Sequence, residues 1–274
     1  MTMAQILYPS AGSQPVGNSS SIIEVADNDT LYRPLVPPGT VVGYNYTSAQ
    51  GTSGQGTASA SYGSGTAIRL AIPKNTTAIK VGTLAITANA ANAGITTNHS
   101  YVICPSTASQ NRQVFVALNA VPLNASAVQY AWFGVTGTGP VWGLAATATT
   151  DKMHISATAG AVFVTATLGR LLIGLTPIIA STGTIIKSNV GIVSGSPNLA
   201  VSDADGLFVG QSVAGTGITT SLITAISADG RTVTLASNST VTGSTTATAT
   251  NNDATNFFPI CTYQNGITAQ FLAT

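Results

Sequence analysis

The stretch from Val128 to Trp142, VQYAWFGVTGTGPVW, constrains the fold more than any other part of the chain. It holds both tryptophans, together with Tyr130 and Phe133. Side chains alternate across an extended strand, so Gln129, Ala131, Phe133 and Val135 share one face and Val128, Tyr130, Trp132 and Gly134 the other. Both faces are largely apolar, and neither is a natural water face. Such a strand is either sandwiched between two layers or covered by another subunit. Thr136-Gly137-Thr138-Gly139-Pro140 predicts a turn, with a second strand starting at Val141. One face of this hairpin is expected to close within the subunit and the other against a partner. On that basis Trp132→Ala is expected to cost folding and Trp142→Ala to cost assembly.

The rest of the chain reads as short strands separated by Gly, Asn, Asp and Pro. Residues 1–22 are rich in Ser, Gly, Asn and Pro and predict an extended N-terminal arm, anchored through Ile6, Leu7 and Tyr8. Strands are expected over 22–25, 31–35, 40–46, 66–72, 78–86, 100–104 and 113–118. Arg33-Pro34 opens a stiff turn, because each proline fixes φ and removes a donor. Residues 48–66 are low-complexity Gly/Ser/Thr, and 87–98 fit either a loop or one helical turn. Thr158-Ala159-Gly160 predicts a hairpin corner, and 161–166 is expected to pair with 171–175 across residues 167–170. Residues 181–196 read as a boundary. A further set of strands follows at 199–201, 222–226, 232–235 and 240–250, and Phe257–Tyr263 leads back to the core.

The expected fold is all-β: a small β-barrel or sandwich core with an additional β-rich module and an extended N-terminal arm. The expected divisions are the arm at 1–22, a β core at 23–186, an appended or inserted β module at 187–252, and a C-terminal strand at 253–274 returning to the core.

Charge narrows the partners. Only 6% of the 274 residues are charged, against roughly a quarter in ordinary soluble domains. A surface built from Ser, Thr, Asn, Gln and Gly suits a subunit largely covered by neighbours. The net charge is +1, and the nine basic residues are spread from Arg33 to Arg231 without a cluster. Nucleic-acid binding by phosphate neutralisation is not expected. The longest apolar run, Leu171 to Ala180, is broken by Gly174, Thr176 and Pro177 and falls short of the about 20 residues of a membrane span. No targeting segment is expected in MTMAQILYPSAGSQ.

Residues that carry chemistry are few. Cys104 and Cys261 sit in strand-like contexts and are expected as buried thiols, with a disulfide as the alternative. His99 and His154 are isolated and read as structural. G-x-S-x-G, the P-loop and G-x-G-x-x-G do not occur. Asp27/Asp29 and Asp203/Asp205 stand at i, i+2, which in a strand places carboxylates roughly 6.6–7 Å apart, near glycosidase geometry. Both pairs sit at apparent turns, where Asp bonds its own backbone. Asp203-Ala204-Asp205-Gly206 lacks the later ligands of a calcium loop. Asn45, Asn75 and Asn124 head sequons that, without a secretory signal, read as composition. No catalytic, metal or cofactor residues are expected.

A resemblance appears at VFVALNAVPLNASAVQYAWFGVTGTG, from Val114 to Gly139, and continues at HISATAGAVFVTATLGRLLIG, from His154 to Gly174. These segments resemble a family of tailed-phage virion proteins that decorate or cement the capsid. The family pattern is an aliphatic-proline step, an aromatic strand near YxWFxVxG, a TATAG turn and a short Gly strand. Ala120-Val121-Pro122 and Tyr130-Ala131-Trp132-Phe133-Gly134-Val135 match its first part. Thr158-Ala159-Gly160 and Leu172-Ile173-Gly174 match its second. The match covers about 60 residues of packing and turn motifs, which speak to fold more than to function.

The resemblance implies a non-enzymatic protein, made in the host cytoplasm, that sits on the capsid exterior and bridges capsomers. Its implied partners are the major capsid protein and itself, as a homotrimer, with no nucleic acid, membrane or cofactor. The candidate subunit or capsid contacts are Ile6, Leu7, Tyr8, Arg33, Pro34, Phe133 and Trp142. The alternative is a tail or fibre adhesin with 187–252 as a glycan-binding module. A glycan hydrolase using one Asp pair is a third reading. A major capsid protein is disfavoured, since no long amphipathic helix is visible.

Overall fold

The computed structural model describes residues 3–7, 14–15, 24–25, 39–47, 64–72, 78–87, 101–103, 113–118, 121, 128–165, 171–204, 206–227, 230–252 and 255–270. Every regular element among them is a strand. The Thr, Val, Ile and aromatic content of these segments favours that state, because branched side chains pack well on a pleated surface.

The first part of the chain runs through β1 (Met3–Leu7), β2 (Gln14–Pro15), β3 (Glu24–Val25), β4 (Val41–Thr47), β5 (Ser64–Ile72) and β6 (Leu84–Thr87). It continues through β7 (Tyr101–Ile103), β8 (Gln113–Ala117), β9 (Gln129–Pro140), β10 (His154–Ile155), β11 (Val162–Phe163) and β12 (Leu171–Ile179). Six strands follow: β13 (Thr184–Ile192), β14 (Asn198–Ala200), β15 (Ser212–Gly215), β16 (Ile218–Ile226), β17 (Thr232–Leu235) and β18 (Gly243–Thr250). The last strand is β19 (Ile260–Gln270). β1 to β12 and β19 form one 13-stranded sheet, with main path β11-β10-β12-β19-β8-β9-β5-β4-β1-β2. β13 to β18 close on themselves as a barrel in the order β13-β14-β17-β16-β15-β18.

β9 is the strand on which the large sheet converges. One edge pairs with β5, from Thr66↔Thr136 to Ile72↔Gln129. The other edge is shared by β3, β8 and β19 in succession. Its alternation splits the core in two. Trp132 joins Leu84, Ile86, Val114 and Val116 on one face, while Ala131 and Phe133 join Ala85, Phe115 and Ala117 on the other. Trp132 is 1% exposed and Phe133 0%. The chain therefore covers both faces of this segment itself, and the expected partner-covered face at 131–133 is not there.

Four further expectations differ from the structure. Residues 136–140 are not a turn: β9 runs unbroken to Pro140, because Gly137 to Pro140 pair with Tyr263 to Ile260 of β19. Strand pairing here overrides local turn chemistry. Residues 78–86 are not one strand. Gly82, at φ +80, turns the chain, and only Leu84–Thr87 continues in the ladder. A Cβ on Gly82 would lie 2.5 Å from the Trp142 backbone nitrogen, so only glycine fits. Third, β11 and β12 do not pair with each other, since both flank β10. Fourth, 184–192 within the expected boundary is the long strand β13. The hairpin corner at Thr158–Gly160 is present. Ser156 N–H donates to Ala161 O at 3.0 Å, and Gly160 takes φ +82. The expected 31–35 strand, the 48–63 tract and residues 88–98 lie outside the described residues.

The barrel occupies the place of a hairpin loop. β12 and β19 pair antiparallel from Leu171↔Gln270 to Ile179↔Ile260. The chain leaves at Ile179, builds the barrel, and returns at Ile260. β13 and β18 take up the pairing again at Thr184↔Thr250. Between the two ladders sits a buried polar layer. Gln211 Nε2 donates to Asn251 Oδ1 at 2.7 Å, Phe208 N–H donates to Gln211 Oε1 at 2.8 Å, and Phe258 N–H donates to Asn251 O at 2.7 Å. Phe208, on the 206–210 turn, packs edge-on to Phe258 with ring centroids 5.3 Å apart and enters the core of the large sheet.

Trp132→Ala removes the largest fully buried side chain. It is expected to cost about 3–5 kcal/mol in urea unfolding, with Val41→Ala, at an exposed site, within about 0.5 kcal/mol of wild type.

Candidate functional site

Of the two candidate contact residues whose side chains are described, Phe133 and Trp142, Trp142 is the one left partly open. It follows directly on β9, and its backbone is held on both sides. Trp142 N–H donates to Gly82 O at 2.9 Å, and Trp142 O accepts from Val162 N–H at 2.8 Å. The indole Nε1–H donates to Asn256 Oδ1 at 2.9 Å. The Lys80 ammonium donates to the same oxygen at 2.6 Å and sits 4.4 Å from the ring centroid. Asn256 Nδ2 in turn donates to Thr255 Oγ1 at 3.0 Å. Three segments far apart in sequence, at 80, 142 and 256, thus meet in one cation–π and amide cluster.

The ring is half-buried and packs on the larger core cluster on one side, with Lys80 over it. The face under Lys80 is not free as a sugar-stacking platform. Trp142 is a rim residue that ties the surface to the core. The sequence singled out Trp142 and missed Lys80 and Asn256, since neither lies near it along the chain.

The other candidate contacts fall elsewhere. Phe133 is fully buried between β5 and β8 and is core, not surface; strand alternation placed it inward. Ile6 and Leu7 lie in β1, whose backbone pairs with Tyr44 and Gly43 of β4. The 3–7 part of the expected arm is thus an added strand of the chain's own sheet. Tyr8, Arg33 and Pro34 lie outside the described residues.

No group of three or more His, Cys, Asp or Glu able to hold a metal occurs among the described residues. Asp203 bonds Lys187 at 2.5 Å, while Asp205, Asp27 and Asp29 lie outside the described residues. Cys261 is a free, fully buried thiol, and burial pushes its pKa up, so it is held protonated and unreactive. Cys104 and His99 lie outside the described residues. His154 is 6% exposed, its Nδ1 has no hydrogen-bond partner among the described residues, and its pKa is lowered by burial and then by Lys152.

The barrel interior is filled. Leu199, Val201, Leu207, Val213, Val233, Ala247 and Ala249 leave a void of only about 10 Å³. Among the described residues this void is too small for a ligand. Among the described residues six large aliphatic side chains of the sheet and the barrel are exposed: Val41, Ile173, Ile178, Ile186, Val193 and Val241, at 41–64%.

No family model, no curated protein and no solved structure matches this chain.

Asn256→Ala removes the acceptor shared by Trp142 and Lys80. It is expected to lower stability by about 1–2 kcal/mol in chemical denaturation, and Asn256→Asp to recover most of that loss. His154 gives a pH dependence. Its folded pKa lies below the ordinary 6.5, so the unfolded chain takes up a proton that the folded chain resists. Its stabilisation is present above about pH 6.5 and is lost as pH falls toward the lowered folded pKa. Thermal unfolding of wild type minus His154→Gln between about pH 5 and 8 should show this difference shrinking toward acid.

Proposed function

We propose that the chain is a non-enzymatic tailed-phage virion protein that binds the outer capsid surface as a homotrimer and cements the head by bridging capsomers. The observation that carries this reading is its surface. Large aliphatic side chains stand exposed on a chain in which 6% of residues are charged. Such a surface associates by burying apolar area and pairing backbone, with little charge steering. The resemblance at 114–174 supplies the kind of surface it meets. The face at 131–133 is closed within the chain and lends a trimer no support, so three-fold assembly rests on the three-fold positions of a capsid lattice.

The test is addition of the purified protein to heads that lack it, followed by electron cryomicroscopy. Regular density between capsomers is expected. Since few charges contribute, retention should change less than about three-fold between about 0.05 M and about 0.5 M salt. Localisation to the tail alone overturns the proposal. So does saturable glycan binding that disappears when 187–252 is deleted, which makes the chain an adhesin.

A further inference from the structure

Residues 153–163 form a hairpin at the end of the large sheet's main path. β10 and β11 pair with each other, and β10 joins β12 through the single pair His154↔Leu171. A few further backbone bonds hold the hairpin down. Leu172 N–H donates to Met153 O at 2.9 Å, Leu84 N–H donates to Gly160 O at 2.8 Å, Val162 N–H donates to Trp142 O at 2.8 Å, and Leu144 N–H donates to Val162 O at 3.1 Å. Met153, Ile155 and Val162, each at most 1% exposed, close the larger core beneath it. Strand alternation turns His154 away from Ile155, beside its cross-strand neighbours Phe163 and Leu171. His154 is 6% exposed, and its Nδ1 is buried with no hydrogen-bond partner among the described residues.

We propose that His154 is an acid-sensitive latch, whose protonation opens the 153–163 hairpin and bares the apolar core beneath it while the barrel stays folded. The neutral ring can keep its proton on Nε2 and leave Nδ1 as a bare acceptor. The imidazolium carries a proton on both nitrogens, and the one on Nδ1 has no acceptor to meet it. A buried donor without a partner, on a charged ring, is costly, and opening returns the ring to water.

The surroundings do not offset that charge. β11 brings Val162 and Phe163 alongside and β12 brings Leu171, none of them titratable. On its own segment Lys152 is a like charge, and the Asp151 carboxylate is bonded to Ala148 N–H. Arg170 lies outside the described residues. Burial, and then Lys152, hold the folded pKa below the ordinary 6.5. The stabilisation is therefore complete above about pH 6.5 and is lost as pH falls through the lowered folded value. The hairpin yields before the barrel because it ends a sheet path on few backbone bonds, whereas the barrel closes on itself through six strands. This inference does not depend on the capsid reading.

The test is hydrogen exchange of the full-length protein at about pH 7 and about pH 5, with rates corrected for the intrinsic effect of pH. Protection of the Ser156, Val162 and Leu172 amides should fall by about ten-fold or more, since one proton linked to opening gives up to about ten-fold per pH unit. The Leu235 amide, which donates to Pro197 O in the barrel, should keep its protection within about two-fold. His154→Gln takes up no proton and should abolish the fall. In the wild type the His154 ring signals should titrate below the ordinary value by NMR, an arm that stands even where His154→Gln does not fold. An equal fall in the barrel overturns the proposal, as does a fall that persists in His154→Gln. It is also overturned by unchanged protection at the three hairpin amides, or by an ordinary histidine titration in the folded wild type.

Discussion

The structure depends on the buried amide pair at the root of the barrel. Gln211 is 0% exposed and Asn251 1%, and each is bonded within the chain. Burying amides is costly unless their donors and acceptors are met, and leaving one unmet costs roughly 1–3 kcal/mol. Here one glutamine side chain joins the 206–210 turn to the strand end at Asn251, and Asn251 passes the connection to Phe258 through its carbonyl. The β12–β19 ladder stops at Ile179↔Ile260 and the β13–β18 ladder starts at Thr184↔Thr250. Without a bonded layer between them, the two ladders would be joined only by two strands of chain. The polar layer, backed by Phe208 on Phe258, couples the filled barrel to the large sheet as a unit.

That coupling explains what the sequence shows and what it hides. Thr232–Leu235 is legible because four alternating residues follow a Gly turn, and alternation under a closed barrel is a local signal. The Thr158–Gly160 corner is legible for the same reason. The insertion of the barrel between paired strands is a long-range fact. Nothing near Ile179 announces that its partner is Ile260, some eighty residues later. β13 reads as a boundary because Lys187, Ser188 and Asn189 interrupt its aliphatic pattern, and Asn189, at φ 55, falls in a bulge that breaks the strand alternation. Thr136–Pro140 was misread in the opposite direction. Its Gly and Thr content signals a turn, and pairing with β19 holds it straight.

The functional side of the molecule was less legible still. Aromatic content drew attention to Val128–Trp142, and the strand there is indeed central. But a central strand is the poorest place for a contact surface, since its neighbours cover it. Trp132 and Phe133 serve the two halves of the core. Trp142, past the end of β9, and Tyr130 within it are half-buried, and the groups that define the surroundings of Trp142, Lys80 and Asn256, come from other segments. The neighbours of β12 left no mark in the sequence either: 171–175 reads as the partner of 161–166, and the pairing of Leu171–Ile179 with β19 shows only in the fold.

Sheet architecture therefore withdraws Trp132 and Phe133 from the surface. A 13-stranded sheet with both faces covered at its centre, joined to a barrel with a filled interior, offers partners its outer side chains and its unpaired backbone. Outer side chains that are mostly uncharged give affinity with little directional preference. Unpaired backbone gives direction, because a partner strand pairs in one register and one orientation. In a chain so poor in charge, specificity is expected to reside in hydrogen-bonded edges and in the few cations beside them. Lys80, over Trp142, is already engaged within the fold.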